Sequence, residues 1–225
     1  MENYLMLLQK SPLFAGCSDE EIQAMATCLD ARERTLAKDA FVFRAGDEPR
    51  SIYFILSGSM HIVDEDFWGN RSIIETMGRN ALFGEAYALV SAEKHLVSVI
   101  AAENSTILEI DPVRLLETCL HGCPSHSEVI KNVARILSEK IVRLTEKLGH
   151  IAQRSLREKI LSYLSKCARQ AQSNTFYIPY SRQQLADYLC VDRSALSHEL
   201  SKLCNSGMLR YRKNFFELLI TESEA

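Results

Sequence analysis

Apolar residues recur along this chain with two different periods. Between about residues 41 and 110 they come as short runs, rich in β-branched and aromatic side chains, each closed by polar turn residues. Phe41-Val42-Phe43-Arg44 precedes Gly46-Asp47, and Ile52-Tyr53-Phe54-Ile55-Leu56 ends at Ser57-Gly58. Met60-His61-Ile62-Val63 leads into a polar turn from Asp64 to Asn70. Ser72-Ile73-Ile74-Glu75, Val97-Ser98-Val99-Ile100 and Ile107-Leu108-Glu109-Ile110 continue the series. Such runs predict strands, and many short strands with regular turn signals predict a barrel or sandwich. The chain ahead of them, Tyr4 to Leu29, reads as helical, and Ser18 with Glu21 forms a capping box.

The period lengthens after residue 128. Ile130, Ala134, Leu137, Ile141, Leu144 and Leu148 are spaced 4, 3, 4, 3, 4, the seam of a coiled coil. Val129, Val133 and Ile136 add a second flank suited to packing on the strands. A parallel dimer accounts for the unbroken register, and a single core-facing amphipathic helix accounts for the same residues without a partner. Gly149 and His150 then interrupt the pattern and predict a hinge. Ser155-Leu156-Arg157-Glu158 is a second capping box, opening a helix with Ile160, Tyr163, Leu164 and Cys167 inward. Phe176 to Pro179 reads as extended. A third capping box, Ser181 to Gln184, opens a short helix ending near Leu189. Asp192 caps a helix from Arg193 to about Asn205 with Leu196, Leu200, Leu203 and Cys204 on its apolar face. Gly207 is placed to terminate it in the left-handed conformation, and Met208 to Ile220 reads as a hairpin turning near Lys213-Asn214.

Two short helices joined by a tight turn predict a helix-turn-helix, with Ala186 small at the crossing and Leu185, Leu189, Val191 and Leu196 between the helices. The outer face of the second helix carries Arg193, Ser194, Ser197, His198, Ser201 and Lys202. Arg193 is suited to bidentate hydrogen bonding to guanine, and Ser194, Ser197 and His198 to other base edges or phosphates. Ser181, Arg182, Arg210, Arg212 and Lys213 suit phosphate contacts that position the protein without specifying sequence.

Charge sharpens this reading. The formal net charge of −3 is bland, yet residues 1–149 sum to −7 and residues 150–225 to +4. An acidic front and a basic tail fit two separate tasks, the second toward a polyanion, although chance clustering of solvated charges gives the same sums. The 47% hydrophobic content excludes a disordered chain. No apolar run is long enough to cross a membrane, and Met1-Glu2-Asn3-Tyr4 lacks the basic start of a secretory leader. With seven Cys, an odd number, a reducing compartment is expected, so the predicted location is the cytoplasm.

Ser181-Arg182-Gln183-Gln184-Leu185-Ala186 and Arg193-Ser194-Ala195-Leu196-Ser197-His198 together resemble the DNA-binding helices of the Crp/Fnr family. Ile52 to Gly58 and Leu82-Phe83-Gly84-Glu85 are similar to that family's sensor domain, and the resemblance spans about residues 10–220. It implies an α+β fold: an N-terminal double-stranded β-helix (jelly-roll) sensor at 1–125, a long dimerisation helix at 126–149 and a C-terminal winged helix-turn-helix at 150–225. It also implies a homodimer on a palindromic double-stranded operator, a small-molecule effector near Gly84, Glu85, His95, Leu96 and Val97, and RNA polymerase as a candidate partner.

Where cyclic-AMP-binding members carry an Arg-Ser step, this chain has His95-Leu96, which supplies no guanidinium for a cyclic phosphate. The resemblance therefore argues against cyclic AMP and leaves the effector open. Gly84 is expected to be kept for backbone geometry. Only Cys17 and Cys28 fall where the oxygen-sensing branch has three closely spaced Cys, which argues against its iron–sulfur cluster. Cys190 stands in the helix-turn-helix turn where a Gly is common.

Cys119, His121, Cys123 and His126 are candidates for a thiophilic metal or a reversible disulfide, or else belong to a turn before the helix that starts near Pro124. Haem held by His61, His95 or a Cys is a further alternative. A cupin-like metal enzyme would need a His pair and a carboxylate inside the barrel, and the strands offer one isolated His61. A non-enzymatic regulator is the expectation.

Overall fold

The computed structural model describes residues 5–65, 68, 71–90, 93–116 and 124–219. The chain divides into two compact units, Met1–Ser138 and Glu139–Ala225.

In the first unit the helical stretch forms three pieces. These are α1 (Leu5–Gln9), a 3-10 turn (Pro12–Phe14) capped by Ser11, and α2 (Asp19–Cys28), whose Ser18–Glu21 capping box closes reciprocally. Proline at residue 12 starts a new turn because it cannot donate back into α1. Among the described residues eight strands follow: β1 (Arg32–Leu36), β2 (Phe41–Phe43), β3 (Ile52–Ser57), β4 (Met60–Glu65), β5 (Arg71–Met77), β6 (Leu82–Phe83), β7 (Ser98–Ala101) and β8 (Ser105–Ile110). Helix α3 (Glu85–Leu89) lies between β6 and β7 in sequence, and α4 (Pro112–Leu116) follows β8. The strands form two antiparallel four-stranded sheets, β1-β8-β3-β6 and β2-β7-β4-β5.

β3 explains why its sequence is apolar without alternation. Tyr53 and Ile55 point into a cluster with Phe43, Met60, Phe83, Val99 and Ile107, which joins the two sheets as the inside of the jelly roll. Ile52, Phe54 and Leu56 point the other way, into a second cluster with Phe14, Ile22, Met25, Leu108, Val129 and Val133. A strand covered on both faces carries a continuous apolar run. β1 was not expected: Arg32-Glu33-Arg34-Thr35 is polar because it is an edge strand, and only Leu36 is buried. Arg34 is held by Glu109 at 2.9 Å and by the carbonyl of Phe41 at 3.1 Å.

The long helix α5 (Pro124–Ile151) starts earlier and ends later than its heptad pattern. Val129 and Val133 are buried as the second flank, and Asn132 donates to the carbonyls of Leu13 and Ala15 at 3.1 and 2.9 Å. The predicted interruption at Gly149 and His150 is corrected: the helix passes through both, and Ala152 N–H still donates to Leu148 at 2.9 Å. Gly149 costs propensity without breaking the ladder, and buried His150 packs against Tyr163.

In the second unit α6 (Leu156–Ala171), β9 (Thr175–Tyr177), α7 (Arg182–Tyr188), α8 (Arg193–Asn205), β10 (Leu209–Arg212) and β11 (Phe215–Leu218) surround one core. Its centre is Ile160, Leu164, Leu185, Leu196, Leu200 and Phe216. The hairpin turns at Lys213-Asn214 as expected, with β9 added to it in the order β10-β11-β9. Cys204, expected on the apolar face of α8, is exposed: the buried stripe is Leu196, Leu200 and Leu203, and Cys204 lies past its edge.

Candidate functional site

The second unit presents a helix-turn-helix built by local rules. Ser181 accepts from Gln184 N–H and Gln184 returns the bond at 2.8 Å, so α7 starts at a fixed residue. It ends in a Schellman turn. Cys190 N–H donates to Asp187 and Val191 N–H to Ala186, at 3.2 and 3.0 Å, with Cys190 at φ 53°. The left-handed residue at this turn is thus kept although it is not Gly. Asp192 then caps α8, accepting from Ser194 and Ala195 N–H at 2.8 and 2.9 Å and from the Ser194 hydroxyl. These bonds hold its carboxyl below the ordinary carboxylate range. Ala186 is fully buried, which allows the two helices to cross closely.

The predicted readers fall on one side of α8. Arg193, Ser194, His198 and Lys202 are exposed and Ser197 is half-buried. Ser197 back-bonds to Arg193 at 2.9 Å, and Lys202 lies 3.5 Å from Glu199. Arg212 and Lys213 are exposed on the wing, and Arg210 lies 3.7 Å from Glu217. Arg182 sits differently from a simple phosphate contact. Its guanidinium packs over Tyr211 at 4.9 Å and donates to the Lys213 carbonyl at 3.3 Å, so it braces the wing against α7. Ser181, Arg182, Gln184, Lys213 and Asn214 line an open cleft between the start of α7 and the wing turn.

In the first unit the predicted effector residues meet only in part. Gly84 caps α3 at φ 78°, and a Cβ there would fall 2.9 Å from Tyr53 Cδ2, so this position admits only Gly. Glu85 is buried in the first turn of α3. His95 is buried, stacked on Phe43 with centroids 3.7 Å apart and met edge-on by Tyr87 at 5.0 Å. Its backbone bonds the 46–47 turn from both sides. Burial lowers the His95 pKa, against the opposing pull of Asp47. Leu96 turns away, 75% exposed, and Val97 is half-buried. Phe43 and Tyr87, which flank His95, carried no sequence signal that separated them from core aromatics.

His61, a haem candidate, hydrogen-bonds Thr76 across β4 and β5 at 2.9 Å. Cys119, His121 and Cys123 lie outside the described residues. His126, the remaining member of that group, is buried beside Cys28. Among the described residues no three His, Cys, Asp or Glu side chains are grouped to hold a metal ion.

Residues 33–121 match the model of the cyclic nucleotide-binding domain, and residues 158–223 match that of the Crp-like helix-turn-helix domain. The chain belongs to the Crp/Fnr family. It is thus a Crp-like transcription regulator with an effector-binding domain and a helix-turn-helix DNA-binding domain. The CRP-like protein Clp of Xanthomonas euvesicatoria pv. vesicatoria (strain 85-10) is 24% identical over 178 residues, covering 76% of each chain. The fold is similar to the c-di-GMP responsive global regulator CLP of Xanthomonas campestris: TM-score 0.59, 21% identity, 91% of this chain and 100% of that one. It is also similar to CprK in complex with OCPA: TM-score 0.65, 16% identity, 89% of each chain. No described helix of this family member is long and apolar enough to cross a membrane.

Proposed function

We propose that this Crp/Fnr regulator acts as a homodimer that reads a palindromic operator through α8. The observation that carries the reading is the exposed Arg193-Ser194-His198 face at the start of α8, buttressed by the Arg182–Tyr211 brace. Arg193 hydrogen-bonds guanine, Ser194, Ser197 and His198 reach neighbouring edges, and Ser181, Arg182, Lys202, Arg212 and Lys213 contact or position phosphates. Ile141, Leu144 and Leu148, each more than half exposed, leave an apolar stripe on α5 that a second copy covers.

The effector in this reading is not cyclic AMP. A buried imidazole stacked on Phe43 and an outward Leu96 supply no fork for a cyclic phosphate. The similar Xanthomonas campestris regulator is described as c-di-GMP responsive, which supports a different ligand class for this sensor shape.

A mobility shift on selected operator DNA, titrated with salt, tests the proposal. Affinity is expected to fall steeply from about 50 to 200 mM salt, because neutralised phosphates release counterions. Cyclic AMP and c-di-GMP are added in separate arms, and cyclic AMP is expected to leave the shift unchanged. No shift at low salt in any arm overturns the DNA-reading proposal.

A further inference from the structure

Cys28 closes α2 and His126 stands in the first turn of α5. The fold brings Cys28 Sγ to 3.8 Å from His126 Nδ1, across 98 positions of sequence. His126 is 4% exposed, and its Nε2 lies 2.9 Å from the Leu115 carbonyl oxygen. A carbonyl only accepts, so Nε2 carries the proton and donates it to Leu115. The Nδ1 lone pair is left facing the thiol. A nucleophile, a base within reach and a third group that fixes the base make up the arrangement that activates a thiol. Cys28 is half-buried, so a small reagent reaches it. Neither the α8 face nor the Gly84–His95 region uses this pair.

We propose that Cys28 is a reactive-thiol site for small hydroperoxides, with His126 as its base. His126 Nδ1 takes the thiol proton, and the sulfur attacks one peroxide oxygen. The S–O bond forms as the O–O bond breaks. Sulfur is oxidised by two electrons to the sulfenic acid and the peroxide is reduced. The departing oxygen takes the proton back from His126 and leaves as water, or as an alcohol from an alkyl hydroperoxide. A leaving oxygen needs that returned proton, which is why the dyad fits a peroxide better than an alkylating agent. The added oxygen falls between the end of α2 and the first turn of α5, the helix that carries the proposed seam. The thiol chemistry does not rest on the regulator reading above.

The test treats the reduced full-length chain at pH 7 with limiting hydrogen peroxide, traps sulfenic acid with dimedone and maps the cysteines by mass spectrometry. Cys190 and Cys204 are the internal controls, since both are more exposed than Cys28 and, among the described residues, neither thiol is hydrogen-bonded to an imidazole. Cys28 is expected to label about tenfold faster than either, the gain from a larger thiolate fraction. His126→Gln is expected to remove that advantage and leave Cys190 and Cys204 unchanged. Labelling in order of exposure, or a Cys28 rate unaffected by His126→Gln, overturns the proposal. The wild-type ranking decides alone if the variant does not fold, and no DNA is present, so a failed regulator reading leaves the result intact.

Discussion

Arg193 is exposed in the first turn of α8, where a guanidinium reaches a base edge without moving the helix. Replacing it with Ala is expected to cost about 1–3 kcal/mol against the preferred base and to relax discrimination at one position per half-site. Competition between operator variants measures this, and unchanged discrimination would remove Arg193 from readout. Cys190 poses a stability question at the same scale. A side chain at φ 53° clashes with its own backbone, a strain that glycine lacks. Cys190→Gly is expected to stabilise the chain by up to about 1 kcal/mol, seen as a higher urea midpoint with an unchanged slope. Sequence placed Cys190 in the turn, and the Schellman bonds from Cys190 and Val191 now show what its conformation serves.

Among the elements, α5 changes character along its length. Leu137 packs partly against the sensor core, whereas Ile141 and Leu144 are 63% and 59% exposed. A charge at Leu137 would therefore disturb the sensor as well as a seam, and the sharper test of dimerisation is Ile141→Lys with Leu144→Lys. The wild type is expected at twice 25.5 kDa by light scattering and the double variant at 25.5 kDa. A wild-type monomer, or a double variant that stays dimeric, refutes the seam. Elements whose burial is one-sided or complete were legible in sequence: β3 and β8 from their apolar runs, α6, α7 and α8 from capping residues that close as expected. β1 was not, because an edge strand held by Arg34–Glu109 needs little apolar content. The Cys28–His126 approach was invisible for a different reason: no local pattern records a contact made across 98 positions.

At the scale of the whole molecule, each unit holds one buried histidine whose pKa burial lowers, His95 in the first and His150 in the second. His95 stacks on Phe43, and among the described residues neither of its ring nitrogens has a hydrogen-bond partner. His150 meets the Ser162 hydroxyl at 2.8 Å through Nδ1, while Nε2 is likewise unpartnered. Burial lowers both pKa values. Around His150, Lys166 and Arg169 add to the shift and Glu146, which pairs with Lys166, opposes it. The rings against His150 bring no charge near neutral pH, since Tyr188 is pushed up to about 12 and Tyr163 higher still by burial. A lowered folded pKa means that the unfolded chain binds more protons as pH falls past about 6.5. Stability is therefore complete above that pH, is lost as pH drops below it, and stops falling below the folded pKa of each group. The hydrogen-bonded carboxyls of Glu21 and Asp192 also lose stability in acid, but only below about pH 4.5, so the two windows separate. The thermal midpoint of the full chain is expected to fall between pH 7.5 and 5.5, with His95→Leu and His150→Gln each removing part of the fall. A midpoint that is flat across that interval in the wild type would show that neither imidazole is forced to stay neutral.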